Sequence, residues 1–488
     1  MTFPPMSRSP VRNSILDRAF ALSAFLLITG AVCACPQDTT ADQETAQRNW
    51  PTWRGPTENG EAFGNPPLKW SETENVRWKV AIPGLGISTP IVWKDRLYLT
   101  TAVSTDRGAT TSDAPAEEPE RGGRGGRGGR RGRPQPPAKV HEFFVIAIDR
   151  GDGSTVWQTK VHEVSPHEMG HATGSLASNS PVTDGERIYA HFGSRGLYCL
   201  DMQGDVVWKK DLGQMRTRNG FGEGSSPALH GNTLVVNWDH EGDSFVVAFD
   251  KTNGDELWRK AREEITSWST PRILEVGGKA QAIISATTAS RGYDLATGDV
   301  VWECSGMTTN SIPSPCYADG IVYLMSGFRG FALQAIRLDG AKGDLQGSEN
   351  LVWVYGSNTS YVPSALLYKG KLWFVRNNTG RLSCLDAKTG KEFYTGQKLA
   401  GVTSIYSSPV GAADRVYLTS RDGHTVVIGA GDSYEELAES QVDDEVDASL
   451  VIVDDEIFLR GRKSLYCISE KGQRAKGDGG KTGDKKLP

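Results

Sequence analysis

His167, Glu168 and His171 stand in the order His-Glu-x-x-His, in which two imidazoles one helical turn apart can hold a zinc ion while the glutamate acts as a base. That chemistry needs a helix, and the flanks do not supply one. Pro166 precedes the motif, Gly170 interrupts it, and Gly174 and Ser175 follow with no apolar stripe of helical period. The segment is expected to be a connecting loop, with His162, His167 and His171 offering at most adventitious metal binding. A second set of reactive side chains is cationic: Arg195, Arg291, Arg329, Arg381, Arg421 and Arg462 each stand at or near a glycine between two apolar runs. Gathered on one face, these guanidinium groups would suit carboxylate or phosphate, so an acidic peptide or polymer is the expected partner. The competing reading is that Arg-Gly merely suits turns, the arginine stems packing on neighbouring rings.

The seven cysteines fall into three groups. Cys33 and Cys35 belong to an N-terminal segment, and Cys199, Cys384 and Cys467 occupy a repeated position held by Ala147 and Ala248 elsewhere, which reads as a small core residue. Cys304 and Cys316 would be able to bridge in an oxidising compartment. A net charge of −5 on 488 residues with 38% apolar composition carries no global bias toward nucleic acid. No catalytic, cofactor or metal residue is assigned.

The elements that would position these groups are repeats. Pro90, Pro181, Pro227, Pro271, Pro315 and Pro409 follow a serine or threonine, and Ser364-Ala365 and Ser449-Leu450 continue the series, so that eight such steps recur, mostly about 41 to 50 residues apart. Within the period, Ala147 to Trp157, Ala248 to Trp258, Gly292 to Trp302 and Cys384 to Tyr394 share an aspartate at their third position and a glycine at their seventh, and Cys199 to Trp208 is one residue shorter. The aspartate caps a hairpin turn, the glycine supplies positive φ, and the aromatic ends the outer strand. Short strands at this period predict an all-β fold: an eight-bladed propeller of four-stranded antiparallel blades. Two sandwich domains would also fit the length. The aromatics Trp78, Trp157, Trp208, Trp258, Trp302 and Trp353 are expected to wedge between blades. The last unit stops at Ser469 without an outer strand, while Asn75 to Val80 resembles Asp205 to Lys210. The N-terminal strand is therefore expected to complete the last blade and close the ring, removing its open edges.

These blocks resemble the repeat of the PQQ-like, quinoprotein-type family of eight-bladed propellers, over roughly residues 50–470. That family includes quinoprotein dehydrogenases and non-enzymatic BamB-like propellers of the bacterial outer-membrane assembly machinery. For the enzymes the resemblance implies pyrroloquinoline quinone with calcium, an aspartate base and, in many members, an adjacent cysteine pair. No adjacent pair exists here, and Trp268, Arg376, Asn377 and Asn378 are only polar or aromatic candidates for a central funnel. Trp50 to Pro56 resembles a segment preceding some PQQ-like propellers and is expected to be a stiff strap docked on the ring.

Residues 1–35 combine Arg8, Arg12 and Arg18 with an apolar run from Ala19 to Val32 and a lipobox-like ending at Cys35, the expected lipidation site. A tether and Trp-rich strap follow at 36–69, then the propeller at 70–470, an Arg/Gly-rich insertion at 105–140 and a tail at 471–488, the last two expected to be disordered. Arg-Gly tracts can bind single-stranded nucleic acid, but this one lies beside Glu117, Glu118 and Glu120 in an exported chain, and no nucleic-acid partner is expected. The reading is an exported, lipid-anchored, monomeric protein of the periplasm or cell envelope, serving as a protein-binding or assembly scaffold with no cofactor. The alternative is a periplasmic quinoprotein oxidoreductase using pyrroloquinoline quinone.

Overall fold

Each repeat becomes a sheet because its turns stop the chain where the sequence places them. Asp149 Oδ1 accepts from the Gly151 N–H at 2.7 Å while Gly153 adopts φ +77°. Asp250, Asp294 and Asp386 cap the equivalent turns, closed by Gly254, Gly298 and Gly390. The computed structural model describes residues 48–108, 139–168 and 170–470. They form eight sheets, each built on four antiparallel strands, arranged as the expected propeller. Among the described residues there is no α-helix, and so no helix long and apolar enough to cross a membrane.

Ring closure follows the expected route. Val76–Ala81 pairs antiparallel with Ser464–Ile468, setting Trp78 opposite Cys467 and Val80 opposite Leu465. This makes the N-terminal strand the outer strand of blade 8, whose other strands are Val451–Val453, Glu456–Arg460 and Ser464–Ile468.

The repeated small residue and the repeated aromatic are one device. Ala147, Cys199, Ala248, Ala335, Cys384 and Cys467 each lie directly across the outer hairpin from Trp157, Trp208, Trp258, Trp353, Tyr394 and Trp78. The small side chain leaves room for the large ring. Trp78, Trp157, Trp208, Trp258 and Trp353 then reach the next blade, each donating Nε1–H to a turn carbonyl there at 2.8 to 3.2 Å. Each ring covers that turn's glycine so closely that a Cβ would lie 2.6 to 2.9 Å from it. Trp302 departs from the pattern: it donates to Gln281 Oε1 at 3.0 Å in its own blade and covers Gly292. The physical reason lies in blade 5. Its outer hairpin is enlarged and sends Gly343–Asp344 to pair in parallel with Val300–Cys304, so no short glycine turn faces Trp302. The five described cysteines are buried and free, and Cys304 and Cys316 are not bridged.

The strap docks inside the ring. Asn49–Trp50 adds a strand to the inner edge of blade 1, pairing with Ile91–Trp93. Arg54, fully buried, donates to the carbonyls of Asn59, Ala365 and Pro409 at 2.9, 2.8 and 3.2 Å, and burial lowers its pKa to about 10. From the wall, Arg272 donates to the carbonyls of Thr57 and Glu58, each at 2.6 Å. The insertion is narrower than expected, since the strands of blade 1 run to Gly108 and resume at Lys139. Cys35, the expected signal segment, the rest of the insertion and the tail lie outside the described residues.

Candidate functional site

The serine or threonine at the head of each inner strand has a role that the spacing alone did not reveal. The N–H of Thr89 donates to Ser180 Oγ, that of Ser180 to Ser226, and so on through Thr270, Ser314, Ser364, Ser408 and Ser449, whose N–H returns to Thr89 Oγ1. The eight distances run from 2.9 to 3.2 Å and form an unbroken circle about the axis. The following proline, where present, has no N–H to compete for an acceptor.

Seven of these side chains face a central cavity of about 390 Å³. Trp53 of the strap lines it from the strand side, and also lines a small adjoining pocket together with Pro181, Pro227 and Pro271. Aromatics from the blade connections and one turn form the other end. Phe328 stacks on Tyr361 with centroids 4.7 Å apart, Phe221 meets the edge of His171 at 5.1 Å, and the Trp268 Nε1–H holds the Gly222 carbonyl at 2.7 Å. Burial raises the Tyr361 pKa. The cavity is thus a funnel with a Trp floor, a hydroxyl belt and an aromatic mouth.

Two carboxylates line this funnel, and both are engaged by arginines that do not. Asp447 accepts from Arg421 Nε at 2.5 Å and from Arg462 Nη2 at 2.7 Å. Glu223 accepts from Arg195 Nη1 at 3.0 Å and from the Ser194 N–H at 2.6 Å. A third connector acid, Glu264, takes Arg291 at 2.7 Å together with the N–H groups of Thr288 and Ala289. These acids clasp the blade connections to the turns between second and third strands. The hydrogen bond from Arg421 to Asp447 holds its guanidinium pKa above the ordinary value. Nearby, Asp239 and Arg262 pair at 2.7 Å with both side chains fully buried. Burial alone would lower the Arg262 pKa, but Asp239 and Tyr293 outweigh it and raise it.

The fold at this site is shared with known proteins. Residues 142–314 match the family model described as outer membrane protein assembly factor BamB. A curated protein of that name from Francisella salina is 26% identical over 175 residues, which is 35% of this chain and only 30% of the relative's own length. The solved BamB from Moraxella catarrhalis superposes with a TM-score of 0.52 at 12% identity, covering 82% of this chain and 98% of that one. A europium-containing methanol dehydrogenase gives 0.60 at 9% identity over 88% of this chain and all of its own. The quinohemoprotein alcohol dehydrogenase of Comamonas testosteroni gives 0.59 at 12% identity, over 90% and 83%. The ring is a PQQ-like, BamB-like propeller.

In this PQQ-like propeller the six arginines do lie at the turns between second and third strands, but they are not equivalent. Arg195, Arg291, Arg421 and Arg462 are held by carboxylates, whereas Arg329 and Arg381 are exposed and pair with no carboxylate among the described residues. The histidine motif is an irregular connection between blades 1 and 2. His167 Nε2 lies 2.6 Å from the Met215 carbonyl, His171 Nδ1 lies 2.7 Å from Thr173 Oγ1, and Glu168 accepts from the Thr217 N–H at 3.0 Å. The two imidazoles therefore have separate partners, and burial raises the Glu168 pKa. Burial, then Arg195, lowers that of His162.

Of the funnel candidates, Trp268 lines the cavity, but Arg376, Asn377 and Asn378 do not. Arg376 packs over Phe331, Asn377 donates to the Gly327 carbonyl and Asn378 accepts from the Val362 N–H, so all three support the wall from behind. Pyrroloquinoline quinone carries three carboxylates, and its calcium needs a cluster of oxygen ligands. No lysine or arginine lines the cavity, and no group of three His, Cys, Asp or Glu suited to a metal occurs among the described residues. The residues present do not fit the quinone and its ion. The connector acids and the hydroxyl circle were missed as functional elements in the sequence. The second had a signal in the Ser/Thr-Pro period, while the first had none.

Proposed function

We propose that this propeller is a protein-binding scaffold of the envelope, assembling with outer-membrane assembly proteins as the name of its BamB relatives suggests, rather than a quinoprotein oxidoreductase. The observation that carries this reading is the chemistry of the axial cavity. Both of its carboxylates are already engaged by arginines, and no cation faces inward to hold a polyanionic cofactor or a substrate for it. What the fold offers instead is a rigid face of connections tied down by Glu223, Glu264 and Asp447. Arg329 and Arg381 are the two of the six turn arginines left on it to meet an acidic segment of the partner. Export and a lipid anchor at Cys35 would place this face in the periplasm beside its membrane, and the chain would act as a monomer.

The test is affinity capture from detergent-solubilised envelope with the full exported chain and with R329E/R381E, the captured proteins being identified by mass spectrometry. The expected result is an envelope assembly protein recovered with the wild type and reduced at least about tenfold with the variant, as like charges replace complementary ones. Equal recovery with the variant would remove the two arginines from the interface. Dye reduction after reconstitution with calcium and the quinone would refute the scaffold reading itself.

A further inference from the structure

The funnel has a composition of its own that the scaffold reading does not use. Its mouth and floor present the rings of Trp53, Phe221, Trp268, Phe328, Tyr361 and Tyr406. Its waist is the hydroxyl belt, in which each oxygen accepts from a neighbour's N–H while its own O–H meets no acceptor among the described residues. A volume of about 390 Å³ lies in the range of small-molecule sites. Charge is the deciding feature. No lysine or arginine lines the cavity; the guanidinium groups on its two carboxylates, those of Arg195, Arg421 and Arg462, are committed to Glu223, Asp447 and, for Arg462, also Glu445 at 3.2 Å, while Arg54 and Arg329 lie against the rings of Trp53 and Phe328 at 5.5 and 5.4 Å. An anion entering between six rings would lose its hydration and meet two carboxylates and no cation in the lining itself. A neutral planar ring would stack on Trp268 and on the Phe328–Tyr361 pair at no such cost.

We infer that the axial funnel is a binding site for a small, uncharged, planar aromatic molecule, and that it discriminates against anions of the same shape, the tricarboxylate quinone of the dehydrogenases included. The partner face is formed by the exposed turns, whereas this site lies on the axis, so either can fail without the other.

Two probes that differ only in a sulfonate decide the matter: neutral N-phenyl-1-naphthylamine and anionic 1-anilinonaphthalene-8-sulfonate, titrated by fluorescence into the full exported chain. The expected result is saturable one-to-one binding of the neutral probe, at least about tenfold tighter than the sulfonate, with no displacement by pyrroloquinoline quinone plus calcium. W268A is expected to weaken the neutral probe about tenfold or more and W268F to restore most of it, since ring area rather than the indole N–H carries the contact. F328A supplies an independent variant at a partly exposed ring, should W268A disturb the fold. No saturable binding of the neutral probe, equal or tighter binding of the sulfonate, displacement by the quinone, or unchanged affinity in both alanine variants would each overturn the inference.

Discussion

Replacing Thr270 by valine tests whether the hydroxyl circle stabilises the propeller. Thr270 is 8% exposed and its Oγ1 accepts the Ser226 N–H at 3.1 Å, while its own N–H donates to Ser314 Oγ at 3.1 Å. Valine keeps the shape and the second bond but leaves the N–H of Ser226, itself 6% exposed, without its acceptor. An unsatisfied buried amide costs about 1–3 kcal/mol, and because Ser226 borders the cavity a water can reach it, which places the expected loss at about 1–2 kcal/mol. T270S keeps the acceptor, as Ser180 and Ser226 do at their own positions, and is expected to stay within about 0.5 kcal/mol of wild type. The assay is urea unfolding at neutral pH, in which the midpoint shifts while the slope stays constant. A second variant, S408A, removes the acceptor of Ser364 across the ring, and the double variant is expected to lose the sum of the two, because distant sites add. If T270V proves as stable as T270S, the circle is a geometric by-product of the Ser/Thr-Pro step and not a stabilising device.

Two further outcomes follow from the buried groups. W78A should cost about 3–5 kcal/mol and make the chain between the strap and the first blade sensitive to protease, because Trp78 is 8% exposed, spans blades 8 and 1, and sits on the closing strand; unchanged stability and protease resistance would refute closure by this strand. His191 is 2% exposed, and burial lowers its pKa to about 4 from the ordinary 6.5. Its contribution is complete above pH 6.5. As the pH falls the unfolded chain binds the proton first, so stability is lost between about pH 6.5 and 4, on the order of 2–3 kcal/mol by pH 4.5. Unfolding of H191Q against wild type at pH 7 and 4.5 should therefore show a flatter acid dependence in the variant, and equal slopes would refute the assignment.

The parts of the fold legible in the sequence are those that every blade must repeat. Asp149 and Gly153 recur as Asp250 and Gly254 because the same turn closes each outer hairpin, and the alternation of Ala, Gly and Cys at one position records the space needed by a ring across the strand. This is why Cys199, Cys384 and Cys467 were readable as small core residues. Trp302 shows the limit of the method. Its own repeat is regular, and what changes its partner is an enlarged hairpin one blade away, a contact that no period in its own segment reports. The inward course of the strap was equally hidden, since Trp50 to Pro56 announces stiffness but not that Arg54 will reach carbonyls more than three hundred positions along the chain.

The candidate site is illegible for the same reason that the fold is legible. Trp268 and Tyr406 stand two residues before a belt residue, but Tyr361 stands three before, Phe221 five, and Phe328 comes from a turn, so no common spacing relates all five. The turn arginines did recur and invited a common role, yet their partners Glu223, Glu264 and Asp447 lie in three connections between blades and share no position in the repeat. A charge visible as a period was thus cancelled by charges that have none. Mutating all six arginines together would mix two effects, loss of clasps that hold the connections and loss of cations that meet a partner. Only Arg329 and Arg381 separate them, because a change at those two positions disturbs no internal carboxylate and any lost binding then belongs to the surface itself.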